Sequence, residues 1–187
     1  MKEILFATGN KNKLREAREI LQYDIEGTDV EIPEIQSADP IKVATQKALD
    51  YFAKVRKPIF VDDIMFTFNA FKAFPGTYIN DFVDILGNEG MIDLLKGRKD
   101  RSAIAQMTLG FTTDGKKVHI FYGRILGTIT RKPRGDNGWD WDRIFIPKGY
   151  NKTFAEMTAE QKNKISMRKI ALKKFKKWLD KEYNKLI

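Results

Sequence analysis

The chain has 187 residues, with 34 Lys and Arg against 25 Asp and Glu and no cysteine. That length suits one domain able to bury a sizeable core, and the absence of cysteine excludes disulfides, thiolate metal sites and cysteine nucleophiles. A formal net charge of +9 favours an anionic partner such as a nucleotide, a nucleic acid or an acidic surface.

Ile4-Leu5-Phe6-Ala7 reads as a buried strand that stops at Thr8-Gly9-Asn10. A helix is predicted over about 11–22, and its first turn carries Lys11 and Lys13. Cations are the wrong charge for a helix N-terminus, which already bears partial positive charge. A strand, a glycine, an Asn and a helix start together suit a bound phosphate. Two exposed lysines costing a few tenths of a kcal/mol fit the same stretch.

"DVEIPEIQ" alternates as a strand would. Asp39 and Pro40 are the predicted N-cap and first position of a second helix, with Val43, Ala44, Lys47, Ala48 and Tyr51 on neighbouring positions and Pro58 past its end. "IFVDD" is predicted as a buried strand ending in two carboxylates, and "FPGTY" as a turn into helices from about 78 to 96. "SAIAQMTLGFTT", a turn at Asp114-Gly115 and "KVHIFYGRILGTITR" read as a hairpin, followed by a short strand "RIFIP". A terminal helix opens at Thr158, with Glu160 and Gln161 in its first turn. Further on, Ile170, Phe175, Trp178 and Leu179 share its predicted apolar face, and lysines on the other side read as solvated. Strands alternating with helices imply an α/β domain over residues 1–187, with the hairpins as a second lobe and a cleft as the ligand site.

No apolar run approaches the roughly 20 residues that span a bilayer. The opening "MKEILFATG" turns polar too early for a signal peptide. A cytoplasmic protein with no membrane partner is the expectation.

Asp62 and Asp63 read either as part of a solvated loop or as a cation site, because neighbouring carboxylates repel unless exposed or neutralised. Glu34 could supply a third oxygen, and such a set suits magnesium far better than zinc. The lone His119 lies in a strand pattern and reads as structural.

Eight segments, in order, resemble the inosine triphosphate pyrophosphatase family, which removes non-standard purine nucleoside triphosphates. They are "FATGNKNK", "PEIQ", "ATQKA", "VDD", "FPGTY", "GWDWDRIFIP", "TFAEMT" and "KNKISMR". The resemblance implies a two-lobed α/β fold with a mixed twisted sheet, flanking helices and a central cleft, a homodimer, and Mg²⁺-dependent hydrolysis of a nucleoside triphosphate to the monophosphate and pyrophosphate. By it Thr8, Asn10 and Lys13 match the triphosphate loop and Lys47 a second phosphate lysine. Glu34 and Asp62 match positions around the metal, and Asp63 the carboxylate of metal binding or water activation. Asp63, Lys13 and Lys47 form the implied catalytic set. Trp139 and Trp141 match positions that stack on the purine, although Trp-x-Trp also suits strand alternation into a core. Asp142 matches a base contact, and Lys162, Ser166 and Arg168 match residues that reach the purine 6-oxygen.

The chain departs from the family at four places: Ile64 and then Met65 follow Asp63 where a Ser or Thr is usual, Met167 replaces a His, Asn80 a Lys, and Ser37 a Gly. Ile64 bears on rate, Met167 on base specificity and Asn80 on triphosphate affinity. Loss of Lys13 is expected to weaken triphosphate binding and leave the fold intact. Two alternatives to the hydrolase remain at this stage: a nucleotide-binding relative without turnover, and a basic nucleic-acid-binding module, the less favoured of the two.

Overall fold

The computed structural model describes residues 3–138 and 140–183. Its strands are β1 (Ile4–Ala7), β2 (Ile25–Thr28), β3 (Ile59–Phe68), β4 (Pro75–Gly76), β5 (Ser102–Thr112), β6 (His119–Ile129) and β7 (Phe145–Pro147). The helices are α1 (Lys11–Leu21), α2 (Pro40–Val55), α3 (Ile79–Asp93), α4 (Ala159–Ile165) and α5 (Met167–Lys181). One mixed sheet runs β2-β1-β3-β5-β6-β7, with β4 paired to β3. β1 is parallel to β2, Ile4 opposite Ile25, and to β3, Leu5 opposite Ile59. β7 is antiparallel to β6.

Two compact units divide the chain. Unit 1 holds the chain to Asp63, Met107–Gly123 and the chain from Arg168 onward; unit 2 holds Ile64–Gln106 and Arg124–Met167. In unit 1, β1 and the first half of β3 are buried on both faces, and the side-chain period of two sorts their residues between two cores. Ile4, Phe6 and Phe60 pack with Ala17 and Leu21 of α1 and with Leu172, Phe175 and Leu179 of α5. Leu5, Ala7, Ile59 and Val61 pack with Ala44, Ala48 and Tyr51 of α2. The Phe6 and Phe60 rings stack at 4.3 Å. Unit 2 is aromatic within: Phe66 lies 4.5 Å from Trp141 and 5.3 Å from Phe145.

Local signals resolved as their chemistry dictates. Asp39 accepts from the Ile41 and Lys42 N–H groups and Pro40 takes the first position of α2. Asp114 accepts from Lys116 and Lys117 N–H, with Gly115 at φ 66°. Thr158 and Gln161 form a reciprocal capping box at α4.

Four expectations are corrected. The strand lies at Ile25–Thr28 and residues 29–36 are irregular. Val30 and Ile32 nonetheless pack on the α2 core, so their alternation recorded burial without a ladder, and Pro33 had no N–H to give one. The second correction is at Asp63, where β3 does not end. It continues to Phe68 because Phe66 and Thr67 pair with Gly76 and Pro75. Third, the terminal helix is broken at Ser166, whose extended φ −66°, ψ 147° separates α4 from α5. Fourth, the buried face of α5 is formed by Ala171, Leu172, Phe175 and Leu179, and Ile170 is 36% exposed. Residues 171, 175 and 179 keep the i, i+4, i+8 spacing and 172 stands three and seven residues before 175 and 179, a pattern that position 170 does not join.

Candidate active site

β3 supplies the centre. Even residues of this strand face α1 and α5, as Phe60 does, and odd residues face α2, as Ile59 and Val61 do. Asp62 and Asp63, though adjacent, therefore meet different helices.

Asp62 is buried and held from both sides of its carboxylate. Lys13 Nζ of α1 donates to Oδ1 at 3.0 Å and Arg168 Nε of α5 to Oδ2 at 3.1 Å. Arg168 Nη1 also reaches Glu16 Oε2 at 3.3 Å. Burial would push the Asp62 carboxyl up, but the Lys13 and Arg168 charges hold it down at about 2. The opposite holds for Asp63, which is pushed up to about 6 by burial and by the charges of Glu34 and Asp62, against the pull of Lys47 and Lys13. Its Oδ2 is buried without a hydrogen-bond partner. Lys47 of α2 is ion-paired with Glu34. Burial would lower the Lys47 ammonium, but the Glu34 bond and the charges of Glu34, Asp63 and Asp62 raise it.

The loop between β1 and α1 satisfies much of itself. Thr8 Oγ1 accepts from Asn10 N–H at 3.2 Å, and Asn10 Oδ1 caps α1 by accepting from the Asn12 and Lys13 N–H groups. The N-cap thus takes two donors that a phosphate would otherwise find at the helix start. Cationic side chains carry more of the site's positive character than the backbone does. Lys13, pointing from the first turn to Asp62, is a partner of a buried anion. Its loss is therefore expected to lower stability as well as triphosphate binding, since removing one member of such a pair destabilises.

In unit 2, Asp142 is buried in the 3-10 turn Asp140–Arg143 and ion-paired with Lys162 of α4. Gly138 makes that approach possible: at φ 85°, a Cβ there would stand 2.2 Å from Asp142 Oδ2. Trp141 is 7% exposed and packed among Phe66, Phe145 and Phe154. The turn holding it is not a strand, so the alternation argument for Trp-x-Trp does not apply. Trp139 lies outside the described residues. Ser166 and Met167 are buried at the break between α4 and α5, Ile64 and Met65 are half-buried, and Asn80 is exposed on α3. His119 is half-buried on β6 with its ring 4.2 Å from Trp178, and burial together with Lys117 lowers its pKa.

Thr8, Asn10, Lys13, Glu34, Lys47, Asp62, Asp63 and Arg168 thus belong to unit 1, and Trp141, Asp142, Lys162 and Ser166 to unit 2. Sequence reasoning missed Glu16 and Gly138. Glu16 had a signal: it is a charged residue beside Ala17 on the buried stripe of α1, where a carboxylate needs a partner. Among the described residues no group of three or more His, Asp or Glu side chains is gathered to hold a metal. Asp63 keeps a free buried oxygen, and Glu34 is a half-exposed carboxylate of the same hardness.

The sequence profile of the Ham1 family matches residues 4–178. A dITP/XTP pyrophosphatase of Methanopyrus kandleri is 38% identical over 179 residues, covering 94% of this chain and 95% of the relative. An inosine triphosphate pyrophosphatase of Emericella nidulans is 41% identical over 182 residues, covering 96% and 97%. The solved structure of a HAM1 protein from Coxiella burnetii superposes with a TM-score of 0.87 at 28% identity, covering 96% of this chain and 99% of that one. The Ham1 protein of Staphylococcus aureus gives 0.86 at 26% identity, covering 97% and 100%.

Proposed function

Because the chain belongs to the Ham1 family, we propose that it hydrolyses non-standard purine nucleoside triphosphates, ITP, dITP and XTP, to the monophosphate and pyrophosphate. The observation that carries this reading is the division of labour on β3. Asp62 is fixed by two cations on one face, and Asp63 keeps an unpartnered oxygen among Lys47 and Glu34 on the other. A fixed anion beside a free one is what a site needs to orient a water without losing its own geometry.

In this reading Lys13 and Lys47, with Thr8 and Asn10, bind the triphosphate, and Asp63 takes a proton from water aligned with the α-phosphorus, so that pyrophosphate leaves. Magnesium fits the oxygens present. It commonly takes one or two carboxylates and completes its shell with waters and phosphate oxygens, so Asp63 with Glu34 is a sufficient protein share, and Asp62, ion-paired on the other face of β3, stands behind them. The ion would neutralise phosphate charge. Base recognition falls to Trp139, Trp141, Asp142, Lys162, Ser166 and Arg168. Donors aimed at a 6-oxygen accept inosine and xanthosine, whereas the 6-amino group of adenine is itself a donor and leaves both sides unpaired. A homodimer and a cytoplasmic location belong to the same proposal.

The test is product analysis with ITP, XTP, dITP, GTP and ATP, with and without magnesium. One pyrophosphate per monophosphate, formed fastest from ITP and XTP and only with magnesium, supports the proposal. Tight ITP binding with no product would overturn it in favour of a binding protein. Salt-sensitive DNA or RNA binding without hydrolysis would overturn it in favour of a nucleic-acid-binding module.

A further inference from the structure

The described methionines differ in access. Met91, Met107, Met157 and Met167 are 0%, 1%, 3% and 5% exposed, whereas Met65 is only half-buried. With no cysteine in the chain, it is the sulfur-bearing residue most open to solvent among the described residues. Met65 stands in β3 two residues after Asp63, and strand alternation sets both side chains on the same side of the strand. The chemistry proposed above makes no use of it.

We propose that Met65 is a redox modification site: a peroxide converts its thioether to the sulfoxide ahead of the other described methionines, and the oxidised side chain slows nucleotide turnover. In the step, a sulfur lone pair attacks one peroxide oxygen, an S–O bond forms and the O–O bond breaks. The departing hydroxide and the proton released from the transferred oxygen combine as water. Sulfur loses two electrons and the peroxide gains them. The product is a polar group in place of an adaptable apolar one, and its oxygen accepts hydrogen bonds but donates none. On the strand face it shares with Asp63, such an acceptor competes with the carboxylate for water. A methionine sulfoxide reductase reverses the change. The order of oxidation stands on access alone, and the effect on turnover rests on the hydrolase reading.

The experiment exposes the full chain to graded hydrogen peroxide, weighs each methionine-containing peptide, and measures pyrophosphate release from ITP on the same samples. Met65→Leu and Met65→Gln are run beside the unaltered protein. The Met65 peptide should gain one oxygen before the peptides of Met91, Met107, Met157 and Met167. Turnover should fall at least about threefold in step and return with the reductase. Met65→Leu should keep the untreated rate and resist peroxide, and Met65→Gln, a polar stand-in, should be slow without it. Oxidation of Met65 no earlier than that of the buried methionines overturns the proposal, as does a Met65→Leu protein that loses as much activity to peroxide as the unaltered one. Absence of turnover before treatment would refute the hydrolase reading, while the peptide masses would still decide the order of oxidation.

Discussion

In unit 1 the candidate side chains are charges that hold one another: Lys13 and Arg168 on Asp62, Arg168 on Glu16, Lys47 on Glu34. Unit 2 has a single ion pair, Asp142 with Lys162, among its candidate residues, set beside an aromatic cluster of Phe66, Trp141, Phe145 and Phe154. The difference teaches how separable function is from stability. In unit 1 a substitution can remove chemistry and relieve electrostatic cost together, because Asp63 is destabilised in place. In unit 2 the residues proposed to meet the base are also the packing, so activity and folding fall together.

The largest expected effect on activity is at Asp63. Asp63→Asn should lower kcat by about 10²-fold or more, the scale of a lost general base. ITP binding by calorimetry should survive, and the melting temperature at neutral pH should not fall. Activity within threefold of the unaltered protein would remove Asp63 from the reaction.

Next come the two units' stability anchors. Arg168→Leu leaves Asp62 and Glu16 buried with a shortened set of partners and should cost about 3–5 kcal/mol. Trp141→Ala opens the aromatic cluster and should cost a similar 3–5 kcal/mol. Lys13→Met should cost less than Arg168→Leu, since Arg168 still holds Asp62, while raising KM for ITP. Denaturant titration of the three variants ranks them, and a Lys13→Met protein as stable as the unaltered chain would break the proposed pairing.

The pH dependence of ligand-free stability sharpens the contrast within β3. Asp62 drops from 3.8 to about 2 on folding, so its contribution is present above pH 4 and is lost as pH falls towards 2. Asp63 rises from 3.8 to about 6, so its contribution is present below pH 4 and is lost as pH rises through 6. Melting temperature against pH should show both slopes. Asp63→Asn should flatten the upper one only, and a retained upper slope would assign it to another group.

The smallest effect is expected at Met167. A polar contact to the purine 6-position is worth about 1–3 kcal/mol when the wrong base leaves it unpaired. Met167→His, placed at a 5% exposed site, should raise the ITP over ATP ratio of kcat/KM within that range, chiefly by rejecting ATP. An unchanged ratio in a folded variant would deny position 167 a part in base choice.

What the sequence displayed was the chemistry that acts within a few residues. The Asp39-Pro40 cap, the Asp114-Gly115 turn and the start of α4 were legible because each is settled by a side chain reaching backbone next to it. The end of β3 was not, because it depends on pairing with Gly76, ten residues from Phe66. The break at Ser166 was hidden by helix-forming residues on both sides. The acids and lysines of the site were visible as motifs, but not that Asp62 and Asp63 face different helices. That follows from which strand residues fill each core. Arg168 and Glu16, 152 residues apart, meet only through the packing of α1 and α5 on one face.

The most direct test of the central claim is hydrolysis of ITP in water enriched in oxygen-18, with the label located by mass spectrometry. Attack at the α-phosphorus puts the solvent oxygen in the monophosphate and leaves pyrophosphate unlabelled, which is the result this account predicts. Label in pyrophosphate, or in released orthophosphate, would place the attack on another phosphorus and contradict it.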